Sequence, residues 1–319
     1  MRRGALRRFG LLAALGLLGA RPARSGPIRD WLRERAAARQ GGANGDDDDI
    51  ASHGRGDRGE FELPRAGRVE RDLAYGSDAA QRLDVYRPAE CQGAVLYMMV
   101  HGGGWAHGDK ALWRSVKNKA THWVGAGQVL VSVNYRMLPQ AAPLEQADDV
   151  ARALAFVQRH AASWGADPKR VVLVGHSAGA HLVSLLTADD ALVERHRVQP
   201  WLATISLDSA AFDVESIMRG RHFGLYDKAF GQDPAYWRQA SPTHRLVGAP
   251  LAPMLIVCSS QRGDSCPQGQ RFADKARTFG AQVEVLPLDL SHAQLNDRLG
   301  ADPIYTAQVE GFLRRSGVA

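Results

Sequence analysis

The sequence predicts an α/β protein, a mostly parallel central sheet with helices on both faces. Two observations carry this. From about Leu63 onward strand-like and helix-like segments alternate, the rhythm of successive βαβ units. The strand-like segments are also near-continuous apolar runs, the pattern that burial on both faces requires. At 319 residues the chain can form one large α/β domain or two small ones, and 45% apolar with 23% charged residues fits a soluble globular protein. No internal repeat is visible.

In chain order, RLDVYRP reads as a strand ended by Pro88, and AVLYMMV (Ala94–Val100) as a buried strand. VLVSVNY (Val129–Tyr135) is another, rich in β-branched residues. ADDVARALAFVQRHAASWG is helical, because Val150, Leu154 and Val157 recur at i, i+4 and i+7 and Gly165 supplies a stop. RVVLV is the next strand, followed by a helix from about Ser177 to Thr187. ATISLD, PMLIVCS and VEVLPL add three strands, with QRFADKARTFG as a helix between the last two and a final helix over roughly Thr306–Arg315. Residues 209–250 interrupt the rhythm with Phe212, Phe223, Tyr226, Phe230, Tyr236 and Trp237, six of the 23 aromatics. This insertion reads as a small cap over a pocket.

The ends of the chain differ from the middle. Residues 1–25 read as an export signal: Arg2, Arg3, Arg7 and Arg8 form a basic start, FGLLAALGLLGA (Phe9–Ala20) an apolar stretch, and Ala23 and Ser25 mark a cleavage site before Gly26. The apolar run is short of the about 20 residues that span a bilayer, so no stable membrane span is expected in the mature chain. The expected location is exported, periplasmic or secreted. Residues 26–64, with QGGANGDDDDI and SHGRGDRGE, read as a disordered linker. Asp46–Asp49 are a solvated charge run and the RGD at Arg55–Asp57 a chance tripeptide in it. The catalytic domain is expected over residues 65–316. The formal charge of +6 is matched by the six arginines of residues 1–25, so the remainder is near neutral and no nucleic-acid partner is implied. Three cysteines make no disulfide framework. Cys258 and Cys266 have a spacing compatible with a bridge or with two thiols, and Cys91 is expected to be buried. No metal-type Cys/His spacing appears.

The chemistry centres on GHSAGA (Gly175–Ala180), which follows the apolar run Val171–Val174. Gly175 and Gly179 fit G-x-S-x-G between a strand and a helix, a sharp turn that holds the Ser177 hydroxyl out for attack. A dinucleotide fingerprint fails because Ser177 occupies its second glycine position. A serine needs a base and an oxyanion site. HGGGW (His101–Trp105) follows another buried strand, and Gly103 and Gly104 are assigned as oxyanion donors with the N–H of Ala178. His292, just past VEVLPL, is the candidate base, and Asp264, just past PMLIVCS, the candidate acid, with Asp208 and Asp289 as alternatives. Parallel strands bring such positions to one sheet edge. His176 and Trp105 flank the site and are read as packing residues.

HGGGWAHGDK, SVNYR, GHSAGAHL and the late Asp and His resemble the α/β-hydrolase fold, in its carboxylesterase and hormone-sensitive-lipase-like branch, over roughly residues 65–316. GHSAGAHL is also similar to kynurenine formamidases. The resemblance implies a Ser-Asp-His triad, an acyl-serine intermediate, a small-molecule ester substrate and no cofactor. One departure lies in the acid loop. Related esterases often place Val-Pro after the acid, whereas DSCP here brings Cys266 and Pro267 closer. The natural substrate, the preference for ester over amide and the oligomeric state are not legible in the sequence.

Overall fold

A computed structural model describes Met1 and residues 61–318. The export signal and nearly all of the linker lie outside the described residues. Eight strands form one sheet: β1 (Arg68–Ala74), β2 (Arg82–Arg87), β3 (Ala94–Val100), β4 (Val129–Val133), β5 (Ala166–His176), β6 (Ala203–Leu207), β7 (Met254–Ser259) and β8 (Val283–Leu288). Their spatial order is β1-β2-β4-β3-β5-β6-β7-β8. Strands β1 and β2 pair antiparallel with each other, and β2 pairs antiparallel with β4; every other pairing is parallel. Seven of these strands coincide with the apolar runs read from sequence; β1 is the addition. It is an edge strand whose residues are all exposed or half-buried and whose register shifts between Glu70 and Leu73, so it carries no apolar signature.

The connecting helices are α1 (Trp113–Gly125), α2 (Pro143–His160), α3 (Ala178–Ala188), α4 (Asp190–Arg195), α5 (Val214–Arg219), α6 (Gly224–Phe230), α7 (Pro234–Gln239), α8 (Pro242–Arg245), α9 (Ser265–Arg277), α10 (His292–Asp297) and α11 (Pro303–Arg315). The pleat of β3 explains its unbroken apolar sequence. Leu96, Met98 and Val100 point to one face, against Val150, Leu154 and Val157 of α2 and Leu182 and Leu185 of α3. Val95, Tyr97 and Met99 point to the other, against Val116, Ala120 and Trp123 of α1 and Phe312 and Leu313 of α11. Tyr97 and Trp123 stack with centroids 3.9 Å apart. Gly165 ends the run after α2 in a left-handed conformation, at φ 79°.

Residues 209–250 fold as the four short helices α5 to α8. Val214, Tyr226 and Phe230 join the core on the α2 and α3 side, and Phe212 packs on Phe272 of α9. Cys258 and Cys266 are bonded, with an S–S distance of 2.07 Å. Cys91 is half-buried, short of the full burial expected; its Sγ donates to the carbonyl of Trp164 at 3.2 Å. No described helix is long and apolar enough to cross a membrane.

Helix α10 is docked by a buried lysine. Lys119 of α1 donates from Nζ to the carbonyl and Oδ1 of Asn296 at 2.6 and 2.8 Å. Asn118 donates to the carbonyl of Asp297 at 2.6 Å, and Asn296 donates to Ser115 Oγ at 3.0 Å. Burial pushes the Lys119 amine down to about 7, against a weaker upward pull from Asp297. Above that value the unfolded chain binds a proton at Lys119 that the folded chain does not, so this residue makes folding more favourable as pH rises toward 10.5. The difference in unfolding free energy, wild type minus Lys119→Met, is therefore expected to grow with pH over that window. The upper limit is about 1.4 kcal/mol per pH unit, measured by urea denaturation; a difference that stays flat or shrinks contradicts the assignment.

Candidate active site

The carboxyl ends of the parallel strands gather the chemistry. Register pairs Val100 of β3 with Gly175 of β5, Gly175 with Ser206 of β6, and Leu207 of β6 with Val257 of β7. The loops after β3, β5, β6 and β7 therefore leave the sheet side by side, at the point where strand order reverses around β3 and β5.

Ser177 sits between β5 and α3 at φ 56° and ψ −118°, a left-handed backbone that a non-glycine residue adopts only under constraint. Its neighbours must be small. A Cβ on Gly175 would lie 2.4 Å from the carbonyl oxygen of Gly179, and one on Gly179 would lie 2.2 Å from that of Val100. The Ser177 N–H donates to the Leu207 carbonyl at 2.9 Å, and its own carbonyl accepts the first bond of α3 from His181 at 3.1 Å. The glycine-rich loop after β3 passes close by, since a Cβ on Gly102 would stand 2.8 Å from that of Ser177.

His292 is the first residue of α10, and a reciprocal cap fixes where that helix starts. Ser291 Oγ accepts from the Gln294 N–H at 3.3 Å while Gln294 Oε1 accepts from the Ser291 N–H at 3.0 Å. The imidazole is buried, its ring centroid 4.6 Å from that of His176, whose Nε2 donates to the His292 carbonyl at 3.1 Å.

The acid that meets this imidazole is Asp208, and the expectation of Asp264 is corrected. Asp208 Oδ2 lies 2.6 Å from His292 Nδ1. Asp264 immediately precedes α9 without a side-chain cap bond; its side chain is 45% exposed and its carboxylate lies 3.6 Å from Arg262 Nη2. Asp289, the other alternative, is exposed and accepts from Gln261 Nε2 at 3.0 Å. Asp208 follows β6 directly and is buried, whereas Asp264 stands beyond the end of β7, at the start of α9, and is turned toward Arg262. Asp208 leaves β6 at φ 55°, a conformation aspartate tolerates better than most residues. The sequence sign was an aspartate directly after the apolar strand ATISL.

The Asp208 carboxylate is dressed with donors. Ser259 N–H and Ser265 Oγ donate to Oδ1 at 2.8 and 2.5 Å, and Arg262 Nη1 to Oδ2 at 2.9 Å. Burial alone would raise its pKa. The His292 hydrogen bond and charge, the Arg262 cation and the Ser265 hydroxyl outweigh that and hold it well below the usual carboxylate range. Arg262 Nη1 also stands 3.2 Å from His292 Nδ1. Two N–H donors thus converge on one carboxylate oxygen.

Ser177, His292, Asp208 and Arg262 border one cavity of about 30 Å³. Gly104 and Ala178 form part of its wall. Gly103 is not on that wall. It turns the loop, at φ 122°, and its carbonyl accepts from Ala106 and His107 at 3.2 and 3.0 Å. Trp105, read from sequence as packing, does both jobs. It lines the cavity and packs edge-on against Phe230, while its Nε1 donates to His181 Nδ1 at 3.1 Å. Burial pushes His181 down to about 4, so the neutral ring accepts there and donates from Nε2 to the Ala240 carbonyl at 2.7 Å. The segment 209–250 supplies Phe223, Leu225 and Tyr226 to the wall, the position expected of a cap. Among the described residues no group of three or more His, Cys, Asp and Glu is arranged to hold a metal ion.

Comparison with known proteins agrees with this geometry. The BD-FAE family model matches residues 83–220. The chain is 28% identical over 242 residues to isoprenylcysteine alpha-carbonyl methylesterase ICME of Arabidopsis thaliana, covering 69% of this chain and 55% of the relative. It is 32% identical over 258 residues to the probable carboxylic ester hydrolase LipM of Mycobacterium tuberculosis, covering 77% and 52%. The chain thus spans about half the length of the curated relatives it matches. Among solved structures, esterase B from Lactobacillus rhamnosis superposes with a TM-score of 0.64 at 20% identity, covering 91% of this chain and 95% of that one. Thermogutta terrifontis esterase 2 phosphonylated by sarin gives 0.63 at 22%, covering 81% and 97%. The chain has the α/β-hydrolase fold and is similar in sequence to carboxylic ester hydrolases over about half of their length.

Proposed function

We propose that this chain is an exported serine hydrolase that cleaves small carboxylic esters through an acyl-serine intermediate, with Ser177, His292 and Asp208 as its triad. The observation that carries the reading is the 2.6 Å contact of Asp208 with His292 Nδ1, on the wall of a cavity shared with Ser177. With Nδ1 donating to a buried carboxylate, the imidazole keeps its proton there and offers Nε2 as the base. His292 takes the Ser177 proton as the hydroxyl oxygen attacks the ester carbonyl. Asp208, kept ionised, stabilises the imidazolium that results. The N–H groups of Gly104 and Ala178 donate hydrogen bonds to the oxyanion. His292 then passes its proton to the leaving alcohol, and water repeats the sequence on the acyl-serine.

The aromatic wall from Trp105, Phe223 and Tyr226 narrows the cavity and supports a short acyl group over a long one. The basic and apolar stretches of residues 1–25 support export, as does a disulfide at Cys258–Cys266, which suits an oxidising compartment.

Mass spectrometry after fluorophosphonate treatment is expected to find the label on Ser177; a label only elsewhere overturns the reading. Asp208→Asn is expected to lower kcat on p-nitrophenyl acetate by about 10³–10⁴-fold, while Asp264→Asn stays within about threefold; the reverse ranking returns the acid to Asp264. Turnover of p-nitrophenyl acetate is expected to exceed that of the octanoate in kcat/KM. Faster hydrolysis of N-formylkynurenine than of either ester assigns the chain to amide chemistry instead.

A further inference from the structure

The loop after β7, where the acid was expected, carries the groups that hold the acid instead. Ser259, Arg262 and Ser265 each donate to the Asp208 carboxylate, and all three lie between Cys258 and Cys266. Cys258 is buried within β7, and Cys266 is half-buried in the first turn of α9, its Cα 5.1 Å from that of Cys258. The bridge therefore pins the start of α9, with Ser265, onto the end of β7, with Ser259. Between these points Ser260, Gln261 and Gly263 are exposed. Arg262 alone turns inward from this stretch, its side chain 13% exposed, to reach both Asp208 and the cavity wall. An exposed loop tip of this kind has little to hold one inward side chain once its ends are released.

We propose that the disulfide-closed loop Cys258–Cys266 is a clamp that positions Asp208 against His292, with Arg262 as its positioning residue, so that opening the bridge turns the site down. The proposal rests on the triad reading above. A dithiol supplies the chemistry. One of its thiolates attacks the half-buried Cys266 sulfur and forms a mixed disulfide, expelling Cys258 as thiolate. The second thiol then closes on the first. The reductant leaves as a cyclic disulfide, and Cys258 and Cys266 take up its two protons as free thiols.

The test uses the full chain in three forms: oxidised, reduced with dithiothreitol and alkylated, and the variants Arg262→Met and Arg262→Lys with the bridge intact. Alkylation counted by mass verifies opening, and circular dichroism follows folding. Opening is expected to lower kcat on p-nitrophenyl acetate by about tenfold to a hundredfold with KM within about twofold, the loss expected of a catalytic group misplaced by about 1 Å. Arg262→Met is expected to lower kcat on p-nitrophenyl acetate with KM within about twofold, with Arg262→Lys recovering most of the loss. Independently of turnover, the far-downfield proton resonance of the His292 Nδ1–H bonded to Asp208 is expected in the oxidised protein and lost or broadened in the reduced form and in Arg262→Met. An unchanged resonance in folded, reduced protein overturns the clamp, as does its absence from the oxidised form. If the oxidised protein cleaves no ester, the esterase reading fails, and the resonance still judges the clamp.

Discussion

The bond between the Asp208 carboxylate and the His292 imidazole joins three segments that are far apart in the chain. Asp208 ends β6, His292 opens α10 after β8, and the groups that dress Asp208 come from the loop after β7. Burying a carboxylate is costly unless its lone pairs are met, and here each oxygen accepts from two donors. The cost of leaving any of them empty gives this corner of the molecule a single arrangement. The serine requires no such network. Its position follows from backbone packing, where glycine at 175 and 179 lets the turn close against β3 and α3.

The supports around the pair share one design. Ser177, Asp208 and His292 each stand at or directly beside the end of a regular element, and a neighbouring contact fixes that end. The Ser291–Gln294 cap sets the start of α10, and Lys119 with Asn296 docks the same helix on α1. The bond from Ser177 N–H to the Leu207 carbonyl ties the serine turn to the strand that delivers Asp208. On the opposite wall, Trp105 is held by His181 and by Gln146, which donates to its carbonyl at 2.8 Å. The result is a small cavity whose lining comes from these fixed element ends.

The sheet was legible in the sequence because two-sided burial writes itself as unbroken apolar runs, and Ser177 and His292 because each follows such a run in a distinctive setting. The choice between Asp208 and Asp264 was not. Both aspartates follow an apolar strand, Asp208 directly and Asp264 only at the start of α9, and what separates them is which loop folds back onto His292, which leaves no local mark. Strand β1 escaped because a half-exposed edge needs no apolar pattern. Helix α1 escaped because its buried face includes Lys119 and Ser115, polar residues matched to α10. Gly103 and Gly104 are indistinguishable as letters, and only the turn of the loop decides which one meets the cavity. The spacing of Cys258 and Cys266 admitted a bridge without requiring one.

A crystal structure of the fluorophosphonate adduct tests the central assignment most directly, because it fixes the partners of the serine and the imidazole together. The expected result has phosphorus on Ser177 Oγ, one phosphoryl oxygen on the N–H groups of Gly104 and Ala178, and His292 Nδ1 on Asp208. An imidazole paired with Asp264, or one turned away from the modified serine, contradicts the account.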